Sequence, residues 1–181
     1  MKAIAVEPSP PPVLHFAMTG EKFEFQTSAK SGDGVFRFRW TLAAGKSGPP
    51  EHVHERERET FAVVSGTLRI WIEDVASDLG PGEQVTVPAG VRHRFLNPDS
   101  VAAVVDVSLD GSLQEDLLVP LAYRFGGREQ IGFAGFCVLV VHDGHVRASR
   151  SVSRVKEATF RGLGHLFRAL GVRPLPPAGA W

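Results

Sequence analysis

Three histidines and one glutamate have the side chains and the spacing to bind a transition metal: His52, His54, Glu59 and His93. The first two histidines are two residues apart, so on a β-strand, where side chains alternate between faces, both imidazoles lie on one side. Glu59 follows an odd five residues after His54, so a bend over residues 55–58 must return its carboxylate to that side. His93 belongs to a later segment. The pattern therefore indicates a metal site assembled from three parts of the chain.

Two motifs whose framework positions are mostly glycine and proline include these four residues. They are EHVHERERETFAVVSG and GEQVTVPAGVRHRFLN, with framework positions at Gly66, Gly82, Pro88, Gly90 and Asn97. Pro88 fixes φ and Gly90 can adopt a positive φ, so a turn is expected directly before His93. The double pattern resembles the two signature motifs of the cupin family. The resemblance covers about residues 23–110.

One position departs from the family pattern. The glycine expected six residues before His52 is Lys46, with Gly45 and Gly48 on either side. Only the entry to the first motif is affected, because every other fixed position through Asn97 matches.

The resemblance implies a small jelly-roll β-barrel in which the side chains at positions 52, 54, 59 and 93 bind one divalent metal. Glu59 is also assigned a catalytic role, since its charge would tune the metal. Fe(II) is the expected metal, with Mn, Ni, Cu and Zn as alternatives, because three imidazoles and one carboxylate suit all five. Four protein ligands leave one or two positions open on a five- or six-coordinate ion, which is typical of a catalytic site.

Apolar residues that share a face with these ligands are expected to form a chamber around the metal. The predicted substrate pocket consists of Phe38, Trp40, Phe61, Val63 and Phe95. Plain core packing is the alternative explanation for these side chains. The rest of the charged run over residues 55–58 is expected to be a solvated bend, and Arg92 and Arg94 are expected to point outward.

The hydrophobic periodicity predicts a mainly β fold with C-terminal helices. Period-two segments predict strands around Phe23 and Phe25 and at 35–42, 60–65, 67–73, 83–88, 92–96 and 101–109. The predicted division is an extended, proline-rich N-terminal arm at 1–21, a jelly-roll barrel at 22–110, and a helical extension at 111–181 packed on the barrel.

Beyond Asp110 the pattern changes to a helical one. Ser112 and Glu115 have the spacing of a capping box, and an apolar stripe follows at Leu113, Leu117, Leu121 and Phe125. Pro120 is expected to kink this helix, and Gly126 and Gly127 to end it. Residues 128–146 fit either a buried helix, which we favour, or a hairpin.

The net charge is zero but unevenly distributed. Residues 1–146 carry 13 Lys or Arg against 19 Asp or Glu, whereas residues 147–181 carry 7 against 1. The basic tail is expected to dock as a helix on the barrel or on a partner subunit, burying an apolar stripe at Leu163, Leu166, Phe167 and Leu170. Contact with an anionic membrane surface is the alternative, and a nucleic-acid-binding arm is not expected.

Cysteine usage and apolar segments indicate a cytoplasmic protein. Cys137 is the only cysteine, so no intrachain disulfide can form. The start MKAIAVEP has too short an apolar stretch for a signal peptide, and the longest apolar run, at 131–141, is too short to span a bilayer. Sheet edges that need covering, together with the resemblance, predict a homodimer.

The predicted site favours an oxygenase of the dioxygenase type acting on a small aromatic or enol-bearing molecule. Open metal positions in an apolar, water-poor chamber suit the activation of dioxygen beside a bound substrate. A redox-neutral isomerase, cyclase or lyase is the second hypothesis, and a barrel that binds a small ligand without catalysis is the third. Neither a P-loop nor a nucleotide-binding glycine fingerprint is present.

Overall fold

The structure is a computed structural model that describes residues 13–16, 20–49, 51–125, 146–148, 162–163, 165–166 and 169. Eleven strands are present in this part of the chain. They are β1 Leu14–Phe16, β2 Glu21–Thr27, β3 Val35–Leu42, β4 His52–His54, β5 Glu59–Ser65, β6 Leu68–Ile72, β7 Val75–Leu79, β8 Gln84–Val87, β9 His93–Leu96, β10 Ala103–Asp110 and β11 Val146–Ala148. One helix, α1, spans Leu113–Phe125.

The strands form two antiparallel sheets. The first has the order β1-β2-β3-β10-β5-β8 and the second the order β11-β4-β9-β6-β7. Aromatic rings from the two sheets meet in the interior, where Phe61 of β5 lies 4.6 Å from Phe95 of β9 between ring centroids. The fold is therefore the predicted jelly-roll β-barrel.

The alternation of apolar and polar residues determines which side of each strand faces the core. On β3, Phe36, Phe38, Trp40 and Leu42 are buried, and their neighbours on β10 are Leu109, Val107, Val105 and Ala103. On the outer side of the same pair, Arg39 donates to Asp106 through Nε and one Nη, both at 2.8 Å. Surface ion pairs of this kind contribute about 0–1 kcal/mol, whereas each buried large apolar side chain contributes about 1.5–3 kcal/mol. Core burial therefore dominates the stability of this sheet.

The predicted strands agree with the observed ones to within two residues, but three strands were not predicted: β1, β7 and β11. β7 is exposed over most of its length and lacks an alternating pattern, so sequence periodicity gives no sign of it. β1 lies within the predicted N-terminal arm, yet Leu14 is fully buried and β1 pairs with β2. Residues 14–16 therefore belong to the sheet.

Helix α1 begins where the helical pattern predicts, but it buries a different face. Leu118 and Ala122 are in the core together with the carboxylate-bearing Glu115, whereas Leu113 and Leu117 are half-buried. The predicted capping box is wrong, because Glu115 accepts hydrogen bonds from Ser28 Oγ and the amide of Ala29. The helix continues through Pro120, the position of the predicted kink.

The described part of the C-terminal extension is small. The segment 128–146, predicted as a buried helix, lies outside the described residues except for Val146, which begins a strand. Residues 162, 163, 165, 166 and 169 are helical, in agreement with the predicted tail helix. Leu166 is 52% exposed, in contrast to the buried stripe expected there. Among the described residues no helix has the length and apolar character needed to cross a membrane.

Candidate metal centre

The four predicted ligands lie together inside the barrel. All are buried, and one ligand atom from each side chain lies within 4.8 Å of those of the others: His52, His54, Glu59 and His93. The predicted same-side placement of the two histidines on one strand is confirmed, since both occupy the inner face of β4. The predicted bend returns Glu59 to that side at the first residue of β5.

Backbone pairing brings β4 and β9, the two strands that carry the cluster histidines, into register. His52 and His93 are direct partners on the antiparallel strands β4 and β9. The amide of Gly90, in the turn before β9, donates to the carbonyl of His54 at 2.8 Å. The other edge of β4 pairs with β11, with Val146 opposite His54. The strand that carries two ligands is therefore held on both edges.

The ring of His93 has a defined orientation and tautomer. Its Nδ1 lies 3.1 Å from the carbonyl oxygen of Val91, and a carbonyl can only accept, so Nδ1 carries a proton and donates. In the neutral ring the lone pair is then on Nε2, which faces the carboxylate of Glu59. Such a backbone contact is the usual way a metal-binding histidine is fixed.

The centre of the cluster requires a positive charge. Oε2 of Glu59 lies 3.2 Å from Nε2 of His93 and 3.2 Å from Nε2 of His54. With neutral imidazoles that present their lone pairs, these atoms would repel one another unless a proton or a metal cation lay between them. Nitrogen and carboxylate donors of this kind suit a divalent transition metal, so the residues present fit a cupin metal site.

Glu59 is the anionic member of the cluster. Burial alone would raise the pKa of its carboxyl group. In the metal-free protein, where protons take the place of the metal between Glu59 and the rings, the charge of His54 and the hydrogen bonds from His54 and His93 outweigh that effect and hold the pKa well below its ordinary value. Glu59 is therefore ionised, and its charge offsets part of the charge of a bound divalent ion.

Aromatic side chains surround the histidines. Phe95 lies 6.1 Å from His52 and Phe61 lies 6.3 Å from His93 between ring centroids. Trp40 is one ring further away, 5.5 Å from Phe95. The metal cluster therefore adjoins an apolar, aromatic part of the barrel interior.

The other two predicted pocket residues are more remote in the observed contacts. Phe38 contacts Phe23, Phe25 and Phe36, and Val63 is buried further along β5. All five predicted pocket side chains are buried, and their contact with a substrate stays a prediction.

The framework residues of the two motifs form the turns that the sequence requires. Gly66, Gly82 and Gly90 have φ values of 74°, 85° and 82°, in the left-handed region that favours glycine. Asn97 is fully buried, and its Nδ2 lies within hydrogen-bond distance of three backbone carbonyl oxygens, those of Leu42, Ala43 and Val101. The carbonyl of Pro88 accepts from the amide of Val91 at 3.3 Å, which closes the turn before His93.

The departure at Lys46 is accommodated by a neighbouring glycine. Gly45 has a φ of 64°, whereas Glu73 is the only non-glycine with a positive φ among the described residues. The left-handed position thus falls one residue before Lys46. The carbonyl of Lys46 accepts from the amide of Asn97 at 2.9 Å, which joins the entry of the first motif to the end of the second.

The charged residues near the cluster follow the prediction only in part. Arg92 is on the surface, where it pairs with Glu73 and Asp74 of the β6–β7 turn at 2.8 and 3.0 Å. Arg94 also points outward, and its guanidinium carbon lies 3.6 Å from the centroid of Trp71. Glu57, however, was expected to be solvated with the rest of 55–58, and it is 3% exposed.

Glu57 is buried because it meets the N-terminus of α1. Its carboxylate accepts from the amides of Leu113 and Gln114, two of the helix amides that have no partner within the helix. Burial raises the pKa of this carboxyl group above its ordinary value, although the two amides oppose the effect. The capping residue and the helix are 56 positions apart, so no local sequence signal could have identified the contact.

Residues 38–109 match the family model described as a cupin domain. This part of the chain is a small cupin-superfamily domain, and the match includes all four residues of the metal cluster.

Two curated relatives illustrate the range of proteins that share this domain. The chain is 30% identical over 100 residues to mannose-1-phosphate guanylyltransferase of Escherichia coli, which covers 55% of this chain and 21% of that protein. It is 27% identical over 100 residues to quercetin 2,3-dioxygenase of Bacillus subtilis, which covers 52% of this chain and 28% of that protein. The chain therefore spans only a minor part of the length of either relative.

Two solved structures align with this chain at low sequence identity. An oxalate oxidase is 20% identical, covers 83% of this chain and 74% of its own, and has a TM-score of 0.47. The cupin domain of Schizosaccharomyces pombe Cnp3 is 14% identical, covers 53% of this chain and 68% of its own, and has a TM-score of 0.46.

Proposed function

We propose that this protein is a metal-dependent cupin oxygenase of the dioxygenase type that acts on a small aromatic or enol-bearing molecule. The observation that carries the proposal is the buried cluster of three imidazoles and one carboxylate beside aromatic rings: His52, His54, Glu59 and His93. Fe(II) is the proposed metal, and Mn, Ni, Cu and Zn have compatible ligand preferences.

The four side chains would hold the ion while leaving part of its coordination sphere open. Three neutral imidazoles and one carboxylate give a site with a net charge of about +1 when a divalent ion is bound, since only Glu59 is anionic. The metal would supply the capacity to bring dioxygen and an oxygen-bearing substrate together at adjacent positions. The backbone contact at Val91 fixes the His93 ring, so the ligand geometry exists before the metal binds.

The aromatic surroundings support the choice of substrate class. Phe61 and Phe95 are both in ring contact with the cluster histidines and with each other. A flat, unsaturated molecule could stack on such rings, and its enol oxygen could approach the metal. Water would be poorly accommodated among the same apolar surfaces, which would protect reactive species from hydrolysis.

Two relatives support an oxidative reaction by their names. One is the quercetin 2,3-dioxygenase described above. The other is a probable oxidoreductase, PatJ, of Aspergillus clavatus, which is 40% identical over 55 residues. Both matches cover less than a third of the relative, so they support the reaction class and leave the substrate to experiment.

The relationship to mannose-1-phosphate guanylyltransferases favours a second candidate, a redox-neutral enzyme such as an isomerase, cyclase or lyase. In that case the metal would polarise a substrate carbonyl, and the same four residues would hold it. A barrel that binds a small ligand without catalysis is the third candidate.

Metal analysis combined with oxygen uptake separates the three candidates. Protein purified without added metal is assayed for bound metals, then reconstituted with each of the five ions and tested with a panel of enols and catechols. Oxygen consumption that requires a substrate and is lost in His54→Ala supports the oxygenase. The matched control is His15→Ala, which removes an exposed imidazole on β1. Absence of uptake with every metal would overturn the oxygenase proposal, and conversion of a substrate without oxygen consumption would support the redox-neutral enzyme.

A further inference from the structure

The bend between β4 and β5 is attached to helix α1 through one buried carboxylate. Oε1 of Glu57 accepts from the amide of Leu113 at 2.8 Å, and Oε2 accepts from the amide of Gln114 at 3.2 Å. The side chain is almost inaccessible, so water does not compete for these hydrogen bonds. An anionic acceptor at a helix N-terminus is also favoured by the helix dipole.

Two further contacts hold the same junction. The amide of Asp110 donates to the carbonyl of Arg58 at 3.1 Å, and Nε of Arg58 donates to the Asp110 carboxylate at 2.9 Å. At Gly111, where φ is 134°, a Cβ atom would lie only 2.8 Å from Oε1 of Glu57. The junction between β10 and α1 thus leaves space for this carboxylate and for little else.

The position of the bend determines the geometry of the candidate metal centre. His54 lies directly before residues 55–58 and Glu59 directly after them, so any displacement of the bend changes the separation between two ligands. Glu59 also lies opposite Leu109 on β10, one residue before the Asp110 contact. The helix N-terminus and the metal cluster are therefore linked by a short segment whose one buried side chain is that of Glu57.

We propose that Glu57 is a positioning residue for the metal centre, which holds the bend 55–58 against the N-terminus of α1 and so places Glu59 relative to the histidines. This inference rests on the proposed metal-binding function. In this role Glu57 contacts neither metal nor substrate and acts only through the bend. Its removal is expected to weaken metal binding by allowing Glu59 to move.

Helix α1 carries a buried carboxylate of its own, Glu115, which supplies a matched control. Glu115 attaches α1 to a different part of the barrel, through Ser28 and the amide of Ala29 at 2.8 Å. It makes no contact with the bend in the hydrogen bonds described above. Glu115→Ala should therefore loosen α1 to a comparable degree without displacing Glu59.

Titration of the full-length, metal-free protein with Co²⁺ tests the inference, because the visible spectrum of Co²⁺ reports both affinity and coordination geometry. Glu57→Ala is expected to weaken Co²⁺ binding about 10- to 100-fold and to change the spectrum, as changes in residues that orient metal ligands usually do. Glu57→Gln should lose less Co²⁺ affinity, because the carbonyl oxygen of glutamine can still accept a hydrogen bond from one of the two helix amides. Glu115→Ala should lower the melting temperature of the metal-free protein and leave Co²⁺ affinity unchanged.

The outcomes distinguish this inference from the proposed function. If the wild-type protein binds Co²⁺ and Glu57→Ala binds it equally well with the same spectrum, the positioning role is wrong and the metal site stands. Equal losses of affinity in Glu57→Ala and Glu115→Ala would show that general loosening of α1 is responsible, and would also overturn it. Failure of the wild-type protein to bind Co²⁺ would overturn the metal site itself. If Glu57→Ala does not fold, the comparison of Glu57→Gln with Glu115→Ala gives the same decision.

Discussion

Nδ1 of His93 donates to the backbone carbonyl of Val91 across 3.1 Å, and this one contact leaves Nε2 as the ring nitrogen that faces Glu59. The nitrogen atom that this residue can offer to a metal thus depends on the turn that precedes it. Because Val91 lies within that turn, closed by Pro88 and Gly90, the second motif fixes both the position of the ring and its tautomer.

Alanine substitution of any of the three cluster histidines should abolish metal binding while the barrel remains folded. Loss of one imidazole removes a quarter of the ligand set, whereas the apolar faces of the strands supply most of the folding energy. Metal content by mass spectrometry and far-UV circular dichroism measure the two properties, with His15→Ala as the surface control. Full metal occupancy in His93→Ala would mean that the second motif has been misread.

Metal retention should decrease as the pH falls through about 6. An imidazole must be neutral to bind a metal, and its ordinary pKa is about 6.5, which metal binding shifts downward. Since the folded-state pKa of Glu59 lies below its ordinary value of 4.5, its carboxylate stays ionised in this range and cannot cause the loss. Dialysis across pH 4 to 8 followed by metal analysis measures the effect. Metal retained at pH 4 would contradict ligation by three histidines.

The lowered pKa of Glu59 also makes the stability of the metal-free protein depend on pH. A carboxyl group with a lowered pKa in the folded state stabilises the fold above the pKa of the unfolded chain, and this contribution is lost as the pH falls towards the folded-state value. Denaturant unfolding of metal-free protein should therefore show a decline in stability below about pH 4.5 that Glu59→Gln lacks. An identical pH profile in the two proteins would contradict the ionised state assigned to Glu59.

Gly66→Ala should destabilise the barrel strongly. Gly66 has a φ of 74°, and a Cβ atom there would lie 2.7 Å from the carbonyl oxygen of Ala102 and 2.9 Å from Cα of Ala103. These are backbone atoms and cannot rotate away, so backbone strain and a steric clash add up to at least about 2 kcal/mol.

Gly82→Ala is the matched control for that substitution. Its φ is 85°, but nothing lies within 4 Å of the added atom, so only the backbone conformation is unfavourable, at about 1 kcal/mol. Urea unfolding of both variants gives the comparison. If Gly66→Ala lowers the free energy of unfolding no more than Gly82→Ala does, the backbone at Ala102 and Ala103 moves aside easily.

Local alternation predicted most of the strands, and the resemblance of the two motifs to the cupin family predicted the barrel and the four clustered residues. Alternation along β3 and β10 decides which side chains are inside, and the two motifs place the four cluster residues on β4, β5 and β9. The face that α1 buries was predicted one residue away from the observed one, because the apolar stripe of a helix is broad and the neighbouring sheet selects its centre. Leu118 and Ala122 are that centre here.

Features that depend on distant pairing could not be predicted. β7 is an exposed edge strand held by β6, and its sequence carries no alternation. Glu57 is a charged residue in a charged run, so its sequence context predicts exposure to solvent. It is buried because the N-terminus of α1, which follows β10, packs against it. Likewise, the pairing of β11 with β4 joins segments about 90 residues apart, which no periodicity reveals.

Trp40→Phe should cost about 1–3 kcal/mol of stability. Nε1 of Trp40 donates to the carboxylate of Glu21 at 3.0 Å, and both side chains are buried, so the substitution removes a hydrogen bond to a group that water cannot reach. Trp71→Phe is the control, because Trp71 is half-buried beneath Arg94 on the outer face of β6. Thermal unfolding followed by near-UV circular dichroism compares the two. Equal stabilities of Trp40→Phe and the wild type would show that the hydrogen bond to Glu21 does not contribute to stability.

A homodimer is expected in solution, because one edge of β7 pairs with no other strand among the described residues. β7 ends the five-stranded sheet, is exposed along most of its length, and includes Val75 with 70% of its surface exposed. Unpaired strand edges of this kind are usually covered by other parts of the chain or by a second subunit. Light scattering at micromolar concentration measures the mass, and Ser77→Pro, which places a proline in β7, should favour the monomer if this edge forms the interface. A monomeric mass of the wild-type protein would contradict the prediction.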